Sequence, residues 1–254
     1  MERIVTDVTG LAPLPLAFSL LVVFLAAVMR GYSGFGFSAL AVTALSLVMR
    51  PSAVVPVVLV LEVAASIHLF PAVRGHVDWR VMRWLLPAAA IAMPVGAWLL
   101  ASLPAVPMRI AISLTVLGLT LLIWFKPGLR VPSDARGIVP AGLVSGALNG
   151  AAALGGLPMI LYFLWAGVGP ATLRATVIVY FLYSDIYAVG IATGYGLVGP
   201  QTAIMAAVML LPLIAGNAVG HKRFLRSNPD SFRRLTLILL GVLSVFGVVH
   251  SLTG

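Results

Sequence analysis

The chain has 254 residues, of which 61% are apolar and only 9% are charged, whereas about a quarter of residues are charged in soluble proteins. The formal net charge of +9 does not indicate nucleic-acid binding, because the basic residues form short clusters beside apolar runs without interleaved aromatic residues. The absence of cysteine excludes disulfide bonds, thiolate metal sites and thiol chemistry.

Apolar runs separated by charged or Pro- and Gly-rich breaks predict ten helical segments in a single membrane domain that fills residues 1–254. In the first half the segments cover residues 14–30, 37–49, 51–72, 84–101 and 109–125. In the second half they cover residues 138–150, 157–168, 171–194, 201–220 and 235–252. Segments 37–49, 138–150 and 157–168 reach roughly 20 Å, which is short of a hydrocarbon core of about 30 Å.

Basic residues between the segments predict the orientation, because cytoplasmic loops carry the excess of Lys and Arg. Three clusters dominate: Arg74, Arg80 and Arg83; Lys126, Arg130 and Arg136; and Lys222, Arg223, Arg226, Arg233 and Arg234. A single crossing by 138–168 would put the third cluster outside, so this stretch is predicted to enter and return as a hairpin of two short helices. The same interpretation of 14–49 puts both chain termini outside.

The two halves resemble each other when the sequence is aligned with itself. The stretch that begins at Ala92 aligns without gaps on the stretch that begins at Gly216, so that Gly96 falls on Gly220. With the orientation above, the first copy starts outside the membrane and the second starts inside, so the copies are inverted.

The predicted fold is an all-α polytopic membrane protein with two inverted repeats, each a Gly-broken helical hairpin plus three transmembrane helices. Repeat 1 covers residues 14–125, repeat 2 covers residues 138–252, and residues 126–137 form a cytoplasmic linker. Inverted repeats with broken helices are typical of secondary transporters, whose sites lie near the bilayer midplane.

Glycine-rich stretches at matching places of the two repeats predict helix breaks at membrane depth. They hold Gly34, Gly36 and Ser38 in repeat 1, and Gly155, Gly156 and Pro158 in repeat 2. A helix that starts at a break exposes about four unpaired N–H groups and a partial positive charge, which suit an anion. Gly155 and Gly156 are expected to form the sharp turn, and Pro158 suits the first helical turn. Close helix packing also recruits small residues, so for any one glycine both interpretations stay open.

Four stretches resemble the TauE/SafE family of sulfite-exporter-like membrane permeases: GYSGFGFSALAV, SGALNGAAALGGLPMILYF, LRATVIVYFLYSD and LLPLIAGNAVGHKRFLR. The resemblance covers most of the chain. It implies an inverted-repeat secondary transporter that moves sulfite, sulfoacetate or related small organosulfur or organic anions, usually outward. Phe35 and Phe37 stand where many members have consecutive glycines, and the second break reads GGLP where GGPP is common. Sulfite is therefore one candidate among small oxyanions.

Two carboxylates lie within predicted membrane helices, where a charged side chain costs about 2.5 to 3.5 kcal/mol. Glu62 is midway along 51–72, and Asp185 is at a comparable depth of 171–194. They are candidate proton-titrating groups that couple anion movement to the proton gradient. The alternative is a structural acid that is neutral or hydrogen-bonded to a neighbouring helix. Arg30 precedes the first break and either attracts the anion or extends its charged end to the membrane surface.

Further polar residues are candidate walls of the pocket or contacts between packed helices. They are Ser33, Asn149, Asn217 and Tyr183, and the first two join Arg30 and the break residues in the predicted substrate site. Arg174 is either an access charge or an ordinary interface arginine. Glu62 and His68 are six residues apart and do not share a helical face, and neither a metal site nor another cofactor is predicted.

Together these features predict a proton-linked secondary transporter, an exporter, of a small anion in a cell membrane, and specifically in a bacterial inner membrane. The predicted partners are the anion and the lipid bilayer, without nucleic acid, and a second copy of the chain in a homodimer is a further candidate. No enzyme is predicted, since a Gly-x-Ser-x-Gly elbow and an Asp–His pair at useful spacing are both absent from the sequence. A passive anion channel and a membrane-embedded enzyme stay open as alternatives.

Overall fold

The computed structural model describes residues 11–125 and 131–224, together with residues 238, 241, 242, 244, 245, 247 and 249. All regular structure in this part of the chain is helical. The helices are α1 (Pro13–Ser33), α2 (Phe37–Leu45), α3 (Pro51–Val73), α4 (Trp79–Ser102), α5 (Ala105–Phe125), α6 (Ala135–Ala152), α7 (Gly156–Trp165), α8 (Pro170–Gly194) and α9 (Pro200–Phe224). A 3₁₀ turn, Arg74–His76, links α3 to α4. The prediction of an all-α polytopic membrane protein is confirmed.

Some predicted features fall outside the described residues. The last predicted segment, 235–252, is described at isolated positions only, and the predicted linker, 126–137, is described from residue 131 onward. The predicted orientation also used basic residues that lie outside the description, namely Lys126, Arg130, Arg226, Arg233 and Arg234.

Helix length separates the helices that are long enough to cross a membrane from the short second arms of two hairpins. By length and composition, α1, α3, α4, α5, α8 and α9 are each able to cross a membrane. By contrast, α2 has 9 residues and α7 has 10, which reach about 15 Å and cannot cross a core of about 30 Å. The stretch 138–168 therefore pairs a helix of 18 residues, α6, with a short one, rather than the two short helices that were predicted.

Aspartate caps explain why α4 and α6 begin earlier than the sequence predicted. The Asp78 carboxylate accepts a hydrogen bond from the N–H of Arg80 at 3.0 Å, and α4 begins five residues before the predicted start. The Asp134 carboxylate accepts one from the N–H of Arg136, also at 3.0 Å, and α6 begins three residues early. A carboxylate at this position satisfies N–H groups that have no partner within the helix and favours the positive end of its dipole.

Two glycines in the left-handed conformation form the turn between α1 and α2. Gly34 has φ of 82° and Gly36 has φ of 89°, values that a side chain would strain. The N–H of Gly34 donates to the carbonyl oxygen of Arg30 at 2.7 Å and closes α1. The break in repeat 1 therefore lies at the predicted glycines.

The turn between α6 and α7 uses a different residue from those predicted. Ala153 adopts the left-handed conformation, with φ of 56°, and its N–H donates to the carbonyl oxygen of Asn149 at 2.8 Å. Gly155 has ordinary right-handed angles, so the prediction that Gly155 and Gly156 make the sharp turn is wrong. Space explains these glycines instead, because a Cβ on Gly155 would lie 2.9 Å from Asn149 and one on Gly156 would lie 2.5 Å from Phe181.

The long arm of each hairpin packs closely against a helix of the other half. On α6, a Cβ at Gly146 would overlap the backbone of Ala89, and one at Gly150 would overlap the Met93 carbonyl oxygen. Small residues at such spacing let helix backbones approach closely in membranes. Since Gly146 and Gly150 meet successive turns of α4 in the same order, α6 runs parallel to α4.

The same arrangement joins α1 to α9. A Cβ at Gly220 would overlap the carbonyl oxygen of Val28, and one at Gly216 would lie close to the carbonyl oxygen of Phe24. Gly31 in turn abuts the backbone of Asn217. Helices α1 and α9 are therefore parallel and in close backbone contact, as α6 and α4 are.

We expect Gly146→Ala to lower stability, because its methyl group meets backbone atoms of Ala89 that cannot rotate away. Overpacking of this kind costs about 1 to 3 kcal/mol. Gly118→Ala on α5 is the matched control, since nothing lies within 4 Å of a Cβ there. Thermal unfolding of the two purified variants in detergent should show a lower midpoint for Gly146→Ala alone. Equal midpoints would contradict the packing described here.

Helices α3 and α8 cross the centre of the molecule in opposite directions. At one end, the N–H of Asp78 donates to the Thr176 hydroxyl at 3.0 Å. At the other end, Gly196, which follows α8, lines one cavity of about 360 Å³ together with Ser52 of α3 and Thr202 of α9. The turn between α1 and α2 accordingly points to the Asp78 end, and the turn between α6 and α7 points to the opposite end.

Large apolar side chains cover the outer surface of the helices. Ile91, Phe125 and Leu211 are each more than 70% exposed, on α4, α5 and α9. Such a surface would aggregate in water, whereas acyl chains solvate it. The surface thus agrees with a multi-pass membrane protein.

Candidate functional site

A fully buried ion pair joins α1 to α3. The guanidinium of Arg30 contacts the carboxylate of Glu62, and both side chains are essentially inaccessible to solvent. A second nitrogen of Arg30 donates to the Ser66 hydroxyl at 2.7 Å. The interpretation that Arg30 extends to the membrane surface is therefore wrong, because its charge is compensated within the protein.

The N-terminus of α2 faces the same carboxylate. Ser38, in the first turn of α2, lies beside the Glu62 carboxylate. Unpaired N–H groups at a helix start favour a negative charge. In this conformation an internal carboxylate thus occupies the place where the sequence predicted an anionic ligand.

The second carboxylate is held by the other hairpin. The Asn149 side-chain amide donates to one oxygen of Asp185 at 2.7 Å, and the Ser184 hydroxyl lies 3.4 Å from the same oxygen. The other oxygen of Asp185 is buried and has no hydrogen-bond partner in the described part of the chain. The side-chain oxygen of Asn149, Oδ1, also accepts from the N–H of Gly155 at 3.3 Å, so the Asn149 side chain links the α6–α7 turn to Asp185.

A hydroxyl pair fixes the α6–α7 turn on α8, and sequence reasoning missed both residues. The Ser145 hydroxyl donates to the carbonyl oxygen of Gly155 at 2.5 Å and lies 2.8 Å from the Tyr180 hydroxyl. Ser145 precedes Asn149 by four residues, and such residues share one helix face. That spacing, in a stretch without charged residues, is a signal that could have identified Ser145.

Phe181 on α8 lies between two polar clusters, that of Arg30, Glu62 and Ser66 and that of Asn149 and Asp185. Its ring is 5.0 Å from the guanidinium carbon of Arg30, in a cation–π contact. The far end of the ring fills the space that a side chain at position 156 would need. The sequence offered no signal for this role, since Phe181 is one apolar residue within an apolar helix.

The long arm of each hairpin hydrogen-bonds through one side chain to a central helix, α3 or α8. The hydrogen bonds from Arg30 to Ser66 and from Asn149 to Asp185 each join residues 36 positions apart. When the two halves are aligned on these hydrogen bonds, Asp185 falls on Ser66 and Phe181 falls on Glu62. The comparable depth of Glu62 and Asp185 in the membrane stays a prediction.

Arg174 supports the α1–α2 turn rather than lying at the membrane surface. Its side chain fills the space beside Gly34, and it donates to the carbonyl oxygen of Gly31 at 3.1 Å. It also lies 3.3 Å from a ring nitrogen of His221, in the last turn of α9. Arg174 is buried, so the interpretation as an ordinary interface arginine is wrong.

The remaining predicted residues occupy different environments. Asn217 is buried, and its amide has no hydrogen-bond partner within the described residues. Tyr183 is 46% exposed on the outer face of α8, so it is not a pocket wall. Pro158 is buried in the first turn of α7, as its sequence position suggested. Ser33 ends α1, and its side chain lies outside the description.

The described residues contain no group of three His, Asp or Glu side chains able to hold a metal ion. The family model Sulfite exporter TauE/SafE matches residues 19–247, a range that includes both polar clusters and both hairpin turns. The chain belongs to the TauE/SafE family. Comparisons with curated proteins and with solved structures give no match. TauE/SafE membership makes this chain a membrane transporter of the sulfite-exporter type.

Proposed function

We propose that this TauE/SafE protein is a secondary transporter, and in the cell an exporter, of sulfite, sulfoacetate or a related small organosulfur or organic anion, coupled to protons. The observation that carries the proposal is the buried Arg30–Glu62 pair at the N-terminus of α2. A guanidinium with adjacent helix N–H groups is a suitable binding site for an oxyanion. In this proposal Gly34 and Gly36 of the α1–α2 turn, and Gly155 and Gly156 of the α6–α7 turn, contribute to the substrate site.

Charge balance provides the coupling to protons in this proposal. The single positive charge of Arg30 compensates one negative charge, either that of Glu62 or that of the transported anion. Burial of both negative charges beside one arginine would be costly, so anion binding favours protonation of Glu62. The anion and a proton would then move in the same direction, so export would be driven by the outward gradient of the anion itself, and Asp185 is a second candidate for the proton.

Inverted repeats supply the alternating access that this mechanism requires. Two observations support the duplication: the reciprocal glycine contacts of α1 with α9 and of α6 with α4, and the opposite directions of the two hairpins. The described basic residues near the Asp78 end favour the cytoplasm on that side: Arg74, Arg80, Arg83, Arg136, Lys222 and Arg223. In this proposal both termini lie outside a bacterial inner membrane.

Flux measurements in proteoliposomes test the proposal directly. Sulfite, sulfoacetate and small carboxylates would be loaded in turn, and efflux would be recorded with and without a pH gradient. We expect efflux of at least one sulfur oxyanion that changes with the gradient, together with co-movement of protons reported by an internal pH dye. Absence of flux for every anion would contradict the function, and unitary currents in planar bilayers would favour a passive channel.

A further inference from the structure

The space between the two clusters is occupied by an aromatic ring rather than by polar groups. Phe181 is almost completely buried. One face of its ring covers the guanidinium of Arg30 at 5.0 Å, while its tip abuts Gly156 at the start of α7. The ring therefore separates the charged residue of one hairpin from the N-terminus of the short helix in the other.

Glycine at position 156 is required by this ring. A Cβ on Gly156 would lie 2.5 Å from Cζ of Phe181 and 3.0 Å from a second ring atom. Since Gly156 does not need glycine for its backbone conformation, the close approach of the ring is the physical reason for it. The ring and the glycine thus form one packed unit.

An anion bound by Arg30 has to share this space with Phe181. The two terminal nitrogens of the guanidinium contact Glu62 and Ser66, and the Phe181 ring lies over the group. The tightly packed apolar ring of Phe181 therefore blocks a substrate that is larger than the space beside it. Displacement of the ring would join the space beside Arg30 to that beside the α7 N-terminus.

We propose that Phe181 determines the size of the anion that this transporter accepts, and that its ring closes the path between the two hairpin turns until substrate displaces it. This inference rests on the proposed anion transport. A smaller side chain at position 181 leaves Arg30 and Glu62 in place and enlarges the site. A larger side chain on α7 where it meets the ring pushes the ring toward Arg30 and makes the site smaller.

Phe181→Leu tests the inference through the ratio of two fluxes. We expect the flux of sulfoacetate relative to that of sulfite to rise about tenfold, since pocket contacts of one or two carbon atoms discriminate by 10-fold or more. Phe163→Leu is the matched control, because Phe163 is equally buried on α7 and is not in the cation–π contact with Arg30. Phe163→Leu should leave the ratio of the sulfoacetate flux to the sulfite flux unchanged.

The Gly156 variants provide an independent test. Gly156→Ala should reduce the fluxes of both anions at least fivefold, and the double variant Gly156→Ala/Phe181→Leu should recover most of that loss, because leucine lacks the ring atoms that clash with the new methyl group. Phe181→Met serves as a second variant should the leucine variant yield no monodisperse protein.

Three outcomes decide the inference. A raised sulfoacetate-to-sulfite ratio together with recovery in the double variant supports it. An unchanged ratio in a folded, active Phe181→Leu or Phe181→Met variant overturns it. Absence of flux in the unmodified protein refutes the proposed function itself, so the two failures are distinguishable.

Discussion

Replacement of Arg30 by glutamine is expected to abolish anion transport and to destabilise the protein by about 3 to 5 kcal/mol, since removal of one partner leaves Glu62 as an uncompensated buried charge. The ion pair is fully buried, so water cannot replace the lost partner. The measurements are thermal unfolding of the detergent-solubilised protein and sulfite flux in proteoliposomes.

The double variant Arg30→Gln/Glu62→Gln separates the two effects. With both charges removed, the unfolding temperature should return most of the way to that of the unmodified protein, while transport stays absent. Arg136→Gln is the matched control, because Arg136 is exposed and should alter neither property. Wild-type flux in the folded double variant would exclude Arg30 from substrate binding.

Replacement of Glu62 by glutamine is expected to leave anion transport measurable but independent of the pH gradient. In the unmodified protein, ionised Glu62 competes with the anion for Arg30, so transport should fall as the pH rises on the side where the anion binds. Glutamine cannot ionise, so this competition is removed at every pH. The measurement is the ratio of initial fluxes with and without a pH gradient, which should fall to about one.

Asp185→Asn is the comparison for the coupling role. Asparagine keeps a hydrogen-bonding oxygen for Asn149 while removing the charge, so folding should be preserved. If Glu62 alone carries the proton, the Asp185 variant keeps its response to the pH gradient. An unchanged response in Glu62→Gln combined with a lost response in Asp185→Asn would move the role to Asp185.

Much of the fold could be predicted because bilayer physics acts on composition over long stretches. A helix must satisfy its own backbone groups in lipid, so apolar runs of about 20 residues predict crossings without knowledge of their neighbours. Helix starts were less predictable, since Asp78 and Asp134 look like loop residues until their carboxylates are seen to cap α4 and α6. In the sequence, a charged residue next to an apolar run is compatible with a loop residue and with a helix cap.

Some residues of the candidate site could be identified from the sequence and others could not. Arg30 and Glu62 were identified from the sequence because charge is rare at membrane depth, and Ser38 was identified because it follows the glycines of the first break. Phe181, Ser145 and Tyr180 were not identified, because apolar and hydroxyl residues are common in such helices. Their roles depend on which helix lies opposite.

The sequence by itself determined that this chain spans a membrane, which stretches break, and that Glu62 and Asp185 lie within apolar helices, since those properties depend on the solvent around each segment. Only the tertiary structure decided that Arg30 pairs with Glu62, that Ala153 rather than a glycine adopts the left-handed conformation of the second turn, and that Asn149 binds Asp185. Pairing and register depend on contacts between helices distant in sequence. One apolar helix face resembles another until packing selects its partner.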